Sequence, residues 1–242
     1  MKSYRDANRR MLITNVSWKR RKKHFNVLLF LRNTSIYLYF ALSVIWLELI
    51  FHVRFFEEMN VEFIHAMLFS VCFSAIPASI CSVLPKKAGM IIAVVFAVCL
   101  FLFFVFQAVY YEMFNVFWSV SSTGIKCSFK EIWKLVPAAA GVQWFTILLY
   151  ALPMLVLIIV GRKILSFGRL HIPHIIIAVV GAIILHVLLL VTLGLYGKDA
   201  ASPYHLYNEK FVYDASAERL GLITSMRLDL KNLISNENNV RN

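Results

Sequence analysis

Charged residues and glycines are both scarce in this 242-residue chain. Only 16% of the residues are charged and 60% are hydrophobic, whereas about a quarter of the residues in a soluble domain carry a charge. The shortage argues against a soluble enzyme, and the high apolar content excludes intrinsic disorder. The nine glycines form no dinucleotide-binding loop, no P-loop and no nucleophile elbow.

Cysteine is also rare, with four in the chain and no C-x-x-C pair among Cys72, Cys81, Cys99 and Cys127. The spacing supports neither a zinc site nor a redox motif. No H-E-x-x-H motif is present, and the adjacent acids Glu57 and Glu58 have no histidine paired with them. We therefore expect no catalytic residue, no metal ligand and no cofactor in this chain.

Long apolar runs are what the sequence does contain. A helix needs about 20 apolar residues to cross about 30 Å of hydrocarbon. Five runs are long enough, at residues 34–54, 63–84, 88–110, 136–160 and 174–196. None has the length or alternation of a barrel strand. The predicted fold is an all-α, polytopic membrane domain over residues 34–196, with five transmembrane helices.

The position of the charges predicts an orientation. The chain has 25 Lys and Arg against 13 Asp and Glu, a net charge of +12, which first suggests a nucleic-acid partner. With the N-terminus inside, however, the cytoplasmic segments hold 15 basic residues and one acid, and the outer segments hold ten and eleven. This is the positive-inside pattern. It predicts a cytoplasmic N-terminus, an extracellular C-terminus and contact with anionic phospholipid, and nucleic acid is not an expected partner.

Three segments flank or interrupt the spans. The basic residues 1–33 are predicted to be a cytoplasmic segment ahead of an uncleaved signal anchor. The outer segment 112–135 mixes aromatic and polar residues, which suits an interfacial helical segment and, more simply, an aromatic belt. The tail 197–242 is polar, and its apolar spacing predicts an amphipathic helix at about 214–234. One such helix forms no core, so it needs the membrane domain, the bilayer or an absent partner.

Polar residues of the spans share one depth, in the outer leaflet. A carboxylate such as that of Glu48 costs roughly 2.5 kcal/mol or more inside a span, so it should have a partner. His52 lies four residues further on, on the same helix face. Together the polar residues at this depth predict a lipid-headgroup pocket of Glu48, His52, His65, Gln107, Tyr110, Tyr111, Glu112 and Trp144. The alternative is a structural hydrogen bond at Glu48 surrounded by interfacial anchors.

The order of several short motifs resembles a known family. The spans carry Glu48-Leu-Ile-Phe-His52, Leu84-Pro-Lys-Lys87 and Tyr110-Tyr-Glu-Met-Phe114, and the tail carries Ser202-Pro-Tyr-His-Leu-Tyr207, Glu218-Arg-Leu-Gly-Leu-Ile-Thr224 and Met226-Arg-Leu-Asp-Leu-Lys231. Together they resemble the N-terminal membrane region of the lipoteichoic acid synthase-like phosphoglycerol transferases, from about residue 36 to residue 234.

The resemblance implies five spans followed by an extracellular catalytic domain of the alkaline phosphatase/sulfatase type. In that family a threonine activated by a divalent metal such as Mn or Mg transfers phosphoglycerol from phosphatidylglycerol to a cell-envelope polymer. No residue of this chain matches the family's nucleophile or metal ligands. We therefore expect a bacterial plasma-membrane anchor that guides the lipid substrate and is not itself an enzyme. It would be either a fragment or a truncated product of a protein whose extracellular catalytic domain would follow Asn242. The alternative is a self-contained small integral membrane protein, such as a transporter subunit or an assembly factor.

Overall fold

The computed structural model describes residues 27–56, 62–120, 129–165, 172–195, 202–208 and 212–241. The chain divides into a unit of residues 1–32 and a unit of residues 33–242. In the first unit only residues 27–32 are described, and they are helical. The basic stretch of the predicted signal anchor lies outside the described residues.

Every regular element in the described part of the chain is an α-helix. The helices are α1 (Val27–Phe55), α2 (Glu62–Val83), α3 (Lys86–Phe114), α4 (Phe129–Val142), α5 (Trp144–Ile164), α6 (Ile172–Leu195), α7 (Pro203–Asn208), α8 (Tyr213–Leu220) and α9 (Leu222–Arg241). The all-α prediction is confirmed for these residues.

Five of the helices are long and apolar enough to cross a membrane. The candidate spans are Thr34–Phe55, Phe63–Val83, Lys86–Phe114, Trp144–Gly161 and Pro173–Leu195, so the prediction of five apolar helices is confirmed. In hydrocarbon each backbone N–H and C=O must be satisfied within the protein, and a helix does this within one segment. The chain therefore has the architecture of a multi-pass membrane protein.

The fourth span begins later than the sequence predicts. Instead of one helix from residue 136, α4 ends at Val142 and α5 begins at Trp144. Gln143 separates them, with φ −91° and ψ 10°, and its side chain is buried and hydrogen-bonded to two other helices. These bonds hold the amide at the break. The predicted interfacial segment 112–135 corresponds to the end of α3, a non-helical stretch to residue 120 and the beginning of α4, with residues 121–128 outside the described part.

The helices α7, α8 and α9 pack on the membrane domain. Tyr213, Ala217 and Leu222 share a buried cluster with Leu47 and Phe51 of α1. A second cluster joins residues of α2 and α6 to residues of all three tail helices, namely Phe69, Cys72, Leu189, Leu193, Leu206, Leu220 and Leu228. The tail's partner is therefore the membrane domain, one of the three alternatives that the sequence leaves open.

The tail differs in detail from the single helix predicted over about 214–234. Gly221 divides that range between α8 and α9. The buried side of α9 includes Ser225 and Asp229, while Leu230 and Ile234 are 42% and 59% exposed. Ser225 and Asp229 have hydrogen-bond partners inside the protein, so burial along α9 does not follow apolar spacing alone.

Candidate functional site

Glu48 lies inside α1 and is fully buried. Its Oε1 accepts hydrogen bonds from Ser70 Oγ at 2.9 Å and from the Ile223 N–H at 3.2 Å. Its Oε2 accepts one from the Leu222 N–H at 3.2 Å. The first four N–H groups of a helix have no carbonyl partner within that helix, and the positive end of the helix dipole favours a carboxylate. Glu48 of the first span therefore caps α9 of the tail.

His52 reinforces this anchor from the next turn of α1. Its Nδ1 lies 2.9 Å from the backbone oxygen of Glu48 and 3.8 Å from Oε2. Its Nε2 lies 2.9 Å from the backbone oxygen of Glu218 in α8. The ring therefore ties α8 to the same turn of α1 that holds α9.

Gly221 permits the close approach between the tail and α1. Its φ is +87° and its ψ 158°, a backbone conformation that favours glycine. A Cβ at this position would lie 3.1 Å from Glu48 Oε1, 3.2 Å from Ala66 Cβ and 3.3 Å from the Ala66 backbone oxygen. The conformation at the α8–α9 junction therefore favours glycine, and the space there is tight for any side chain.

A second polar network holds the stretch after α3. The side chain of Gln107 accepts a hydrogen bond from the Trp118 N–H and donates to the Trp118 carbonyl, both at 3.0 Å. The amide also donates to Tyr213 Oη at 3.1 Å. Gln107 of α3 thus holds both Trp118 and Tyr213 of α8.

The tail also holds this stretch through two carboxylates. Asp214 accepts a hydrogen bond from the Phe117 N–H at 3.1 Å, and Asp229 accepts one from the Val120 N–H. Burial raises the pKa of the Asp214 carboxyl, and the bond from Phe117 opposes that shift. The stretch is thus fixed by α3, α8 and α9 together.

A third arrangement surrounds a polar cavity of about 400 Å³, which Val53, Arg54, Phe55, Phe56, Tyr111, Glu112 and Gln143 line. Arg54 Nε donates to Gln143 Oε1 at 3.2 Å, and Gln143 Nε2 donates to Glu112 Oε2 at 2.8 Å. One amide thus connects a cation of α1 to a carboxylate of α3. The cavity lies at the ends of α1 and α3 and at the α4–α5 break.

The predicted pocket residues are divided among these networks. Glu48 and His52 form the anchor of α9, Gln107 holds Trp118, and Tyr111 and Glu112 line the cavity. His65 of α2 lies 3.3 Å from Thr192 Oγ1 of α6, the Tyr110 ring packs on Phe114, and Trp144 is 60% exposed. The structure does not gather these eight residues around one opening, and their contact with lipid headgroups stays a prediction.

Arg54 and Gln143 are the polar cavity residues that the predicted pocket leaves out. Arg54 marks a loop boundary in the sequence, and Gln143 lies inside the run predicted to be the fourth span. The sequence offers one signal for Gln143, which lies at the same depth in the membrane as Glu112. An amide is therefore expected next to a carboxylate. Nothing in the sequence indicates that Arg54 joins them.

The midspan histidine of α6 has a different environment. His186 Nε2 lies 3.2 Å from Tyr207 Oη, which accepts a hydrogen bond from Arg227 Nη2 at 2.6 Å. The His186 ring also contacts Phe69 edge-on, with centroids 5.3 Å apart. These contacts pack His186 against Phe69 of α2 and Tyr207 of α7.

No protein-family model matches the chain, and neither the curated proteins nor the solved structures contain a match. Within the described residues, no group of three or more His, Cys, Asp or Glu side chains could hold a metal ion.

Replacing Glu48 tests the anchor. Glu48→Ala leaves the N–H groups of Leu222 and Ile223 without their acceptor, and an unsatisfied buried polar group costs about 1–3 kcal/mol. We expect a lower thermal unfolding temperature in detergent and faster hydrogen exchange in the first turn of α9. Ser70→Ala removes one donor and is the milder control. Unchanged exchange of α9 in Glu48→Ala would contradict the anchor.

Replacing Gly221 tests the close approach. Gly221→Ala combines a disfavoured φ, which costs of order 1–3 kcal/mol, with tight contacts to Glu48 and Ala66, so thermal stability should fall. Gly181 of α6 is the matched control because a Cβ there meets nothing within 4 Å. Gly181→Ala should leave the unfolding temperature equal or higher. Equal unfolding temperatures for the two variants would show that the junction tolerates a side chain.

Proposed function

We propose that this chain is the membrane-anchor and lipid-guiding domain of a lipoteichoic acid synthase-like phosphoglycerol transferase that acts in cell-envelope polymer synthesis. The proposal places it in the bacterial plasma membrane with the N-terminus inside and the C-terminus outside. The motifs from Glu48 to Lys231 support the family. The chain itself is not catalytic in this proposal, and the transfer chemistry, with its Mn or Mg ion, belongs to a domain after α9.

The motif resemblance carries the choice of family, and the docking of the tail through Glu48 carries the anchoring role. A domain attached to a flexible linker would sample many heights above the bilayer. The 20 residues of α9 begin instead at two hydrogen bonds to a span, and a helix of that length extends about 30 Å. A catalytic domain joined to α9 would therefore be held at a fixed place near the outer leaflet, where positioning favours reaction with lipid headgroups.

A second candidate, the self-contained small membrane protein, also has an observation in its favour. The tail helices bury their apolar residues against α1, α2 and α6. An amphipathic tail that finds its partner within the chain does not need a further domain for its stability. The docking thus suits both candidates, and only the motif resemblance favours the transferase.

The coding sequence beyond Asn242 separates the two candidates. If the chain belongs to a transferase, its reading frame should continue into a domain with a metal-bound threonine site. In cells depleted of their own polymer synthase, that complete protein should restore polymer synthesis, and its Glu48→Ala variant should restore less at equal abundance. A stop codon after Asn242 with a stable, folded product would favour the self-contained protein.

Reporter fusions test the orientation. Alkaline phosphatase folds in oxidising compartments, so a fusion after α9 should be active, while a cytoplasm-dependent fluorescent protein at the same place should be dark. The same fluorescent protein before Met1 should be bright. The reverse pattern at both ends would overturn the orientation and, with it, the proposed place of the catalytic domain.

A further inference from the structure

We propose that the cavity at Arg54 binds the phosphodiester headgroup of a membrane lipid that also carries hydrogen-bond donors. The choice of phosphatidylglycerol as that lipid rests on the proposed function. The binding site itself rests on the side chains of α1, α3 and the α4–α5 break.

The cation of the cavity is held in a defined orientation. Arg54 uses Nε for Gln143, and Gln143, only 1% exposed, is fixed in turn by Glu112. In the described part of the chain the two Nη groups of Arg54 donate to no residue, and the side chain is exposed. A guanidinium presents paired donors that match two oxygens of a phosphate. Arg54 is therefore a pre-oriented donor for a phosphodiester.

The carboxylate of Glu112 limits which headgroups the cavity can bind. Glu112 Oε2 accepts from Gln143, and within the described residues Oε1 has no donor. A bare phosphate would meet this carboxylate and be repelled, since like charges at short range are unfavourable. A hydroxyl or an ammonium next to the phosphate would instead donate to Oε1. The pair thus suits a phosphoglycerol or phosphoethanolamine headgroup better than phosphate alone, or than phosphocholine, which has no N–H or O–H.

The surroundings favour a lipid over a soluble phosphate ester. Val53 lines the cavity and is 58% exposed. The exposed aromatic rings of Trp144 and Phe145 directly follow Gln143, and aromatic rings are common where headgroups meet acyl chains. The cavity of about 400 Å³ falls within the roughly 300–1,000 Å³ of typical ligand pockets. A headgroup in the cavity would leave its acyl chains against these apolar side chains.

Binding of dihexanoyl phosphatidylglycerol to the full chain in detergent, measured by microscale thermophoresis, tests the proposal. Arg54→Gln should weaken binding about 10-fold or more, because the loss of a hydrogen bond to a charged group lowers affinity by about that factor. Arg54→Lys keeps the charge without the planar fork and should weaken binding less. Lys134→Gln is the matched control, because Lys134 is an exposed lysine of α4 outside the cavity, and its effect should stay within about two-fold.

Further ligands and one more variant separate the outcomes. Dihexanoyl phosphatidylcholine and glycerol 3-phosphate should both bind more weakly than the phosphatidylglycerol. Glu112→Gln should weaken phosphatidylethanolamine more than phosphatidylglycerol, because an ammonium depends on the full negative charge, and this variant keeps the test open if Arg54→Gln does not fold. If Lys134→Gln and Arg54→Gln lost equal lipid affinity, the effect would be one of surface charge, and the proposed site would be overturned. Glycerol 3-phosphate binding as tightly as the lipid would overturn the lipid as ligand.

Lipid binding at Arg54 and the transferase function can fail separately. A reading frame that stops after Asn242 would remove the transferase while leaving lipid binding at Arg54 measurable. Conversely, a complete transferase with full activity but with equal lipid affinity in the wild-type and Arg54→Gln forms would overturn the cavity site alone.

Discussion

The tertiary structure of the described chain depends on the contact between the Glu48 carboxyl and the first N–H groups of α9. Each partner would be costly alone, since a carboxyl inside a span and unsatisfied backbone donors both lose their hydration when buried. Together they satisfy each other, with Ser70 as a further donor. The contact joins residues 174 positions apart in the sequence. It therefore connects the first span directly to the last helix.

Several other features follow from this contact. The close approach of α1 and the tail leaves little room for a side chain at Gly221, and His52 lies next to the carbonyl of Glu218. With α8 in this position, Asp214 accepts a hydrogen bond from the Phe117 N–H in the stretch after α3. Tyr213 accepts one from Gln107, the side chain that holds Trp118. The loop at the end of the third span is thus positioned by helices that follow the fifth. A tail bound only by apolar burial could slide along the membrane domain, whereas directional hydrogen bonds specify one register.

The sequence predicts the parts of this structure that depend on local composition. Runs of about 20 apolar residues identify the five spanning helices, and the cost of a carboxylate in a span correctly indicates that Glu48 has a partner. The identity of the partner is not predictable in this way, because the donors are backbone N–H groups, which every residue except proline carries. The same limit applies to the α4–α5 break. Gln143 lies in an apolar run, and only its contacts with Arg54 and Glu112 show that a span begins after it.

The distribution of burial separates the two polar systems that sequence reasoning places in one pocket. Glu48 is fully buried, and its carboxyl accepts hydrogen bonds from the N–H groups of Leu222 and Ile223. A headgroup would have to displace these residues of the tail in order to bind there. Arg54 lies six residues further along α1, exposed at the edge of a cavity. Six residues correspond to about 9 Å of helix rise, which is enough to move from the interior of a span to its boundary. The deeper residue is therefore suited to holding the protein together and the shallower one to meeting a lipid. The proposed docking of a domain and the proposed guiding of a lipid thus fall on different side chains, so a lipid at Arg54 would not have to displace the tail from Glu48.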